Sequence, residues 1–481
     1  MQQIIYLLII YYLFASYLQD IAILSKNINK EIIYMNTHLK RWVLLGLTAA
    51  SLGIMASSAS DVHIQSYIVH ADSYQIPYAG KEKEFQHKIN PGYGSALVFK
   101  DKKSDGTIEF YGITDRGPNG DIPKYLKDGK KKSGKFFPTP KFTPSIGVIT
   151  VSPTKHRADI TQSIPLNVQG KPITGKPLPD GLTGSTNELA LNFAMKNLGT
   201  DKNGLDTEGL TVDKDGNFWI SDEYGPFILK ANKNGTILEK YGPGTGLPTI
   251  LADRVPNRGS EGLTIDENGH IFALIQSPLN VDGKTAKTSK YTRIIELDPT
   301  TKETTMYAYP VDVGYKNTGA AKLGDITSIG HKQFLMIEQG KQHGRMQNLI
   351  YKVDLNDATP IANNGDLEYG RLDGKIIPAK KELILDLRAN GWNIEKAEGL
   401  ALLPDRKTIA VVNDNDFGID INVSDKKVNN PSVSDYTYNS NKNIFVYNKD
   451  KSIHNIKLSL KKNAPTEQES QIWFFTLPHT L

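Results

Sequence analysis

The chain has 481 residues, with 57 Lys and Arg against 52 Asp and Glu, and an ordinary globular balance of 39% hydrophobic to 23% charged residues. The net charge of +5 is spread along the whole length, which argues against a nucleic-acid footprint. Cys is absent, so disulfides, thiolate metal sites and a cysteine nucleophile are all excluded.

Two apolar stretches open the chain. Ile4 to Leu18 lacks a preceding Lys or Arg and is short for a membrane span of ~20 residues. Residues 1–34 therefore read as a start-site artefact or apolar leader, and an uncleaved anchor in this segment is the one expected route to a membrane. From Met35 the pattern changes: Lys40-Arg41, an apolar run from Trp42 to Met55, then Ala56-Ser-Ser-Ala-Ser60. A basic start, an apolar middle and a small-residue exit make 35–60 a signal peptide. Residues 61–481 are then expected to form one secreted or periplasmic domain.

From residue 61 onward, short runs rich in Val, Ile, Phe, Tyr and Thr alternate with Asp-Gly, Asn-Gly and Pro-containing turns, the punctuation of an all-β protein. A first copy of a repeat begins at Gly94-Ser-Ala-Leu-Val98 and reaches Tyr111-Gly-Ile-Thr-Asp115. The Lys127 to Lys135 stretch that follows is basic but lies among Gly and Ser without interleaved aromatics, and reads as a solvated loop. The clearest copy runs from Gly209 through Asn217-Phe-Trp-Ile-Ser-Asp222 and Phe227-Ile-Leu-Lys-Ala-Asn232 to Thr236-Ile-Leu-Glu-Lys-Tyr241. Further copies start at Glu261, Asp325 and Glu398. Four short strands per copy, repeated, define a β-propeller. Five blades are readable. Ring closure suggests about six four-stranded blades with long inter-strand insertions, the missing strands coming from 61–90, 168–205 or 366–388.

Acidic residues recur in phase with the repeat. Glu208, Glu261, Asp325 and Glu398 stand at the start of a first strand; Asp115, Asp222 with Glu223, Glu338, and Asp414 with Asp416 follow a second strand. Inner strands of a propeller line its channel, so each set converges. The first set can staple blades through backbone N–H groups, or supply oxygen ligands for Ca²⁺ and general acid–base groups. The second set, on strand-end loops, is better placed for chemistry. Arg116 and Arg258 offset charge and offer forked donors to a phosphate or carboxylate. The Asp213-Lys-Asp-Gly216 run lacks the Gly and Glu spacing of an EF-hand and reads as a hairpin turn. No G-x-S-x-G elbow, phosphate-binding loop or H-E-x-x-H is present, and the ten His show no metal-ligand spacing.

Five motifs in order, Ile113-Thr-Asp-Arg-Gly-Pro118, Ser221-Asp-Glu-Tyr-Gly-Pro226, Asn257-Arg-Gly-Ser-Glu-Gly-Leu263, Gly324-Asp-Ile-Thr-Ser328 and Asn413-Asp-Asn-Asp-Phe-Gly418, make residues 90–420 resemble the phytase-like family, described as having esterase-like activity of phytase. The resemblance implies a secreted propeller that cleaves phosphate or other esters. Gln339 departs from it, since the family pattern favours Arg after the acid at Glu338. On this basis Asp222, Glu261, Glu338 and Asp414 are the expected catalytic groups. Asp115, Arg116, Glu223 and Arg258 are the expected substrate contacts, and Asp222, Glu261, Asp325, Glu398, Asp414 and Asp416 the expected calcium ligands. The expected partner is a small-molecule ester, taken by a monomer. A calcium-dependent lactonase of the gluconolactonase and paraoxonase type, and a non-catalytic binding propeller, are the competing expectations.

Overall fold

The computed structural model describes residues 62–481, so the proposed leader and signal peptide lie outside the described residues. Each repeat folds because a polar turn lets two alternating runs pair. In Asp213-Lys-Asp-Gly-Asn217 the Asp213 carboxylate accepts the backbone N–H groups of Asp215 and Asn217 at 3.0 and 2.9 Å and the Trp219 indole N–H at 3.1 Å. Asp266 repeats the device one blade later, accepting from Asn268 and His270. In both hairpins the aspartate satisfies the donors of its own turn, a role that no apolar side chain can fill.

Five four-stranded antiparallel blades result. From the inner strand outward, blade 1 comprises Ala96–Lys102, Ile108–Ile113, Ser145–Ser152 and Arg157–Pro165. Blades 2, 3 and 4 begin with Thr207–Val212, Ser260–Ile265 and Lys322–Gly330. Blade 5 comprises Gly399–Leu402, Thr408–Val412, Gln471–Thr476 and, as its outermost strand, His63–His70 from the start of the domain. That N-terminal strand pairs antiparallel with Gln471–Thr476 and touches the outer strand of blade 1 at Val69 and Ala158. It closes the ring by joining the sheets of blades 5 and 1.

The inner strands pack side by side in the order 1, 2, 3, 4, 5 and back to 1. Five apolar clusters fill the five gaps between blades, for example Trp219, Ile228, Leu263 and Ile271 between blades 2 and 3, or Leu335, Ile337, Leu400 and Ile409 between blades 4 and 5. The ring among the described residues therefore has five blades where about six are expected from the sequence. The strand that was to start a sixth, near residues 61–90, completes blade 5 instead, and Lys380–Asp386 is the outer strand of blade 4.

A five-membered ring draws its inner strands close together, and this sets the Glu-Gly-Leu repeat. A Cβ on Gly209 would stand 2.6 Å from the Glu261 carbonyl oxygen, and one on Gly262 would stand 2.5 Å from the Asp325 Cα. Only glycine permits that approach, so the glutamate before it is fixed at the rim of the channel.

Two insertions rise from neighbouring blades, 114–144 between the second and third strands of blade 1 and 413–470 in the same place in blade 5. They share a small sheet, Tyr436–Asn439 running parallel to Lys124–Lys127, over an apolar cluster of its own that includes Phe136, Phe417, Ile419, Tyr436 and Tyr438. No helix among the described residues is long and apolar enough to cross a membrane.

A charged cavity at the propeller mouth

Within a blade, the first and second strands are antiparallel, so the start of one lies beside the end of the other. Thr207 pairs with Asp222, Leu323 with Glu338, and Gly399 with Val412. Both acidic sets thus share one rim of the propeller. A cavity of about 340 Å³ opens there, lined by Asp115, Arg116, Glu208, Glu223, Arg258, Glu261, Glu398, Asp414 and Asp416 among the residues expected from sequence, and by Lys322, Lys396, Gln276, Asn257, Lys135 and Asn119 besides. Lys135 and Asn119 come from the insertion of blade 1, so the added layer helps to wall the mouth.

Three expected site residues are not brought to this cavity. Asp325 takes the place that glycine holds in blades 2, 3 and 5, one residue later than the glutamates, and a one-residue shift turns a strand side chain to the other face. Its carboxylate points across the channel and accepts the backbone N–H groups of Leu400 at 2.8 Å in blade 5 and Leu97 at 3.2 Å in blade 1. Asp222 accepts the N–H groups of Asp206 at 2.8 Å and Gly225 at 3.0 Å, and so holds the turn that carries Glu223. Glu338 is fully enclosed, accepting from the Tyr309 and Tyr315 hydroxyls at 2.7 and 3.1 Å, the Asp312 N–H at 3.0 Å and the Lys381 ammonium at 2.8 Å. Stapling is thus what Asp325 does, whereas Glu208, Glu261 and Glu398 of the same sequence set face the cavity.

The cavity carboxylates outnumber the cations, and the cations are unevenly committed. Arg116 donates through Nη1 to Glu188 at 3.4 Å and lies 3.2 Å from Asp206 Oδ2, with its guanidinium 5.6 Å from the centre of the Tyr224 ring. Lys396 binds Asp414 at 2.6 Å and Asp416 at 2.7 Å. Gln276 donates through Nε2 to both Glu261 at 2.8 Å and Glu223 at 3.2 Å, bridging two blades. No hydrogen bond reaches the Glu208 carboxylate from the described residues, and Oδ2 of buried Asp206 has no hydrogen-bond donor either.

Crowding and burial show in the protonation equilibria. Burial, with Glu261, Asp206 and Glu223 adding to it, pushes Glu208 well above the usual carboxylate range. Burial likewise raises Glu223, with Asp206 and Glu261 contributing, and raises Asp115, with Asp414 and Asp206 contributing. Burial pushes Glu261 up to about 7 and Glu398 up to about 8 against the pull of nearby lysines. Asp414 differs: burial opposes its ionisation, but Lys396 overcomes that and holds it below the ordinary value. Lowered and raised carboxyl groups side by side are the condition for separate base and acid roles.

Asp206, Glu208 and Glu223 each bring one carboxylate oxygen to within 4.8 Å of the other two. Oxygen ligands ~2.4 Å from a shared Ca²⁺ can lie at most twice that distance apart, so the triad has the span of one calcium site. Asp206, Lys322 and Lys396 escaped the sequence reading, although a signal existed. Asp206 and Lys396 stand two residues before Glu208 and Glu398, and Lys322 two before Gly324, the matching position in blade 4. The period of two along a strand returns them to the same face.

A propeller whose mouth gathers buried carboxylates, three of them within reach of one another, and several arginines and lysines has the makings of a polar-ligand site rather than an apolar one. The chain belongs to the phytase-like family, described as esterase-like activity of phytase, whose model matches residues 94–417. That span runs from the first inner strand to Phe417 and encloses every residue named in the cavity wall. An uncharacterized secreted protein of Arthroderma benhamiae is 28% identical over 255 residues, 43% of this chain and 48% of that one, so the chain spans about half the length of the curated relative it matches. Among solved structures, a streptogramin B lyase is similar at 14% identity and a TM-score of 0.30, covering 74% of this chain and 96% of its own. The Dos1 propeller is similar at 8% identity and a TM-score of 0.27, covering 82% and 76%.

Proposed function

We propose that this chain is a secreted or periplasmic hydrolase of small phosphate esters or related esters, assisted by a divalent cation, with Ca²⁺ the best match, at the propeller mouth. The observation that carries the reading is the Asp206–Glu208–Glu223 triad, three buried carboxylates converging beside the cavity with Glu208 lacking a protein donor. Without a cation such a grouping is repulsive; a divalent ion relieves the repulsion. Family membership and a secreted relative support the class of reaction and the compartment.

Asp206, Glu208 and Glu223 would hold the cation, and a bound cation would polarise an ester oxygen and acidify a water. Glu261, joined to Glu223 through Gln276, would serve as the general base at the cavity wall. Glu398, which keeps its proton up to about pH 8, is suited to return one to the leaving oxygen. Asp414, kept ionised by Lys396, holds the lysine at the wall. The test is turnover of p-nitrophenyl phosphate, p-nitrophenyl acetate and a γ-lactone by the purified chain, with calcium and with chelator. Calcium-dependent release from either p-nitrophenyl ester supports the proposal. Opening of the lactone alone would move the assignment to a lactonase, and no turnover with all three would sink it.

A further inference from the structure

The insertion of blade 5 carries a second group of reactive side chains that shares no residue with the mouth. Asp425 follows the strand Ile419–Ser424, while Ser452 and His454 stand at the edge strand Ile453–His454, where the period of two puts their side chains on one face. Ser452 Oγ lies 2.8 Å from His454 Nε2, and His454 Nδ1 bonds the Asp425 carboxylate. Asp425 also accepts the Tyr436 hydroxyl at 2.7 Å and the Lys427 N–H at 2.9 Å. Burial opposes the Asp425 charge, but the Tyr436, Lys427 and His454 donors outweigh it and hold the carboxyl down to about 2. The imidazole packs with its centre 5.1 Å from the Tyr447 ring and 6.1 Å from the Tyr436 ring. Imidazole and carboxylate are only 5% and 3% exposed, whereas Ser452 is half-buried beside the open edge of the sheet.

A nucleophile, a base and an orienting carboxylate in mutual contact are recognised by geometry, not by sequence order. The bond to Asp425 fixes a proton on Nδ1 and leaves Nε2 to accept. Asp450 Oδ1 takes both the Ser452 N–H at 2.9 Å and the Ser452 hydroxyl at 2.5 Å, which holds Oγ in place. Turning the hydroxyl proton from Asp450 to Nε2 then prepares its transfer with no heavy atom moved. Tyr447 donates its N–H to the Ser452 carbonyl at 2.9 Å and Ile453 faces Val446, so the alternation of the ladder turns the Ile453 N–H to the open edge. That donor, one residue after the serine, offers a hydrogen bond to a developing oxyanion. We propose that Ser452, His454 and Asp425 form a metal-independent acyl-transfer site for small carboxylic esters, separate from the Asp206–Glu208–Glu223 triad. All three residues lie beyond the 94–417 span that the family model matches, so the site is independent of the reading made for the mouth. Ser452 Oγ attacks the carbonyl carbon as His454 Nε2 takes its proton; the alcohol departs with that proton and the acyl group stays on Oγ. Water then attacks the acyl carbon, giving a proton to Nε2, and the carboxylic acid leaves as that proton returns to Oγ.

The probe is a fluorophosphonate, which an activated serine displaces fluoride from, applied to the full chain in chelator and located by peptide mass. Wild type carries the adduct on Ser452 and releases p-nitrophenol from p-nitrophenyl acetate in chelator. Ser452→Ala removes both and leaves calcium binding at the mouth as in wild type. Asp425 is a positioning residue, and Asp425→Asn lowers the limiting rate of labelling at least ~10-fold at an unchanged half-saturating concentration of reagent. A merely structural carboxylate would not produce that split. Melting curves establish that each variant folds, and His454→Gln, which also loses labelling, serves if Asp425→Asn does not. No adduct on Ser452 of wild type, labelling at full rate in Ser452→Ala, or a limiting rate in folded Asp425→Asn or His454→Gln equal to wild type would overturn the site.

Discussion

Replacing Glu261 by glutamine isolates the electrostatic cost of the mouth. Burial raises the Glu261 pKa from 4.5 to about 7. Between those values the folded chain keeps a proton that the unfolded chain has released. The contribution of this group to stability is therefore fully present below pH ~4.5, falls as pH rises, and is lost above pH ~7. The shift corresponds to about 3 kcal/mol for this group. Glutamine keeps an oxygen for the Gln276 amide and carries no charge. In chelator, Glu261→Gln should match wild type near pH 4.5 and exceed it by about 3 kcal/mol at pH 8. Urea unfolding at a series of pH values reads the difference directly. A wild-type stability that is flat or rising between pH 5 and 8, or a variant that runs parallel to wild type throughout, would refute the reasoning.

Other consequences are simpler to read. Asp325→Ala leaves the Leu97 and Leu400 N–H groups without their acceptor in the channel, and should cost about 3 kcal/mol in urea unfolding while leaving calcium uptake of the folded fraction intact. Arg293 and Glu368 form a fully buried ion pair at 2.6 Å that pins the 362–368 loop to blade 3. Arg293→Met strands the glutamate and should cost about 4 kcal/mol, most of it recovered by adding Glu368→Leu. Gly262→Ala forces a methyl group 2.5 Å from the Asp325 Cα and should destabilise by more than about 2 kcal/mol, seen as a lowered melting temperature.

Much of the architecture was legible because a blade is a local object. The Asp-x-Asp-Gly-Asn turn, the alternating runs beside it and their recurrence announce four-stranded units without knowledge of distant contacts. Blade number was harder to read, because closure is non-local: His63–His70 pairs with Gln471–Thr476 across nearly the whole domain. The site was legible in part for a similar reason. Repetition marked Glu208, Glu261 and Glu398, but alignment by charge alone placed Asp325 with them, and only the strand register shows it to sit one residue out of phase. Asp222 and Glu338 stand where strand-end residues usually meet ligand, yet backbone and tyrosine donors claim them first. Asp206, Lys322 and Lys396 do not form a repeated residue type. Their shared feature is the strand period, and charge of either sign satisfies it.

Calcium titration of the full chain by calorimetry, wild type beside Glu208→Gln and Asp325→Asn, tests the central claim most directly. The account predicts uptake by wild type, its loss in Glu208→Gln and its retention in Asp325→Asn. Absence of uptake by wild type, or uptake undisturbed by Glu208→Gln, would contradict it.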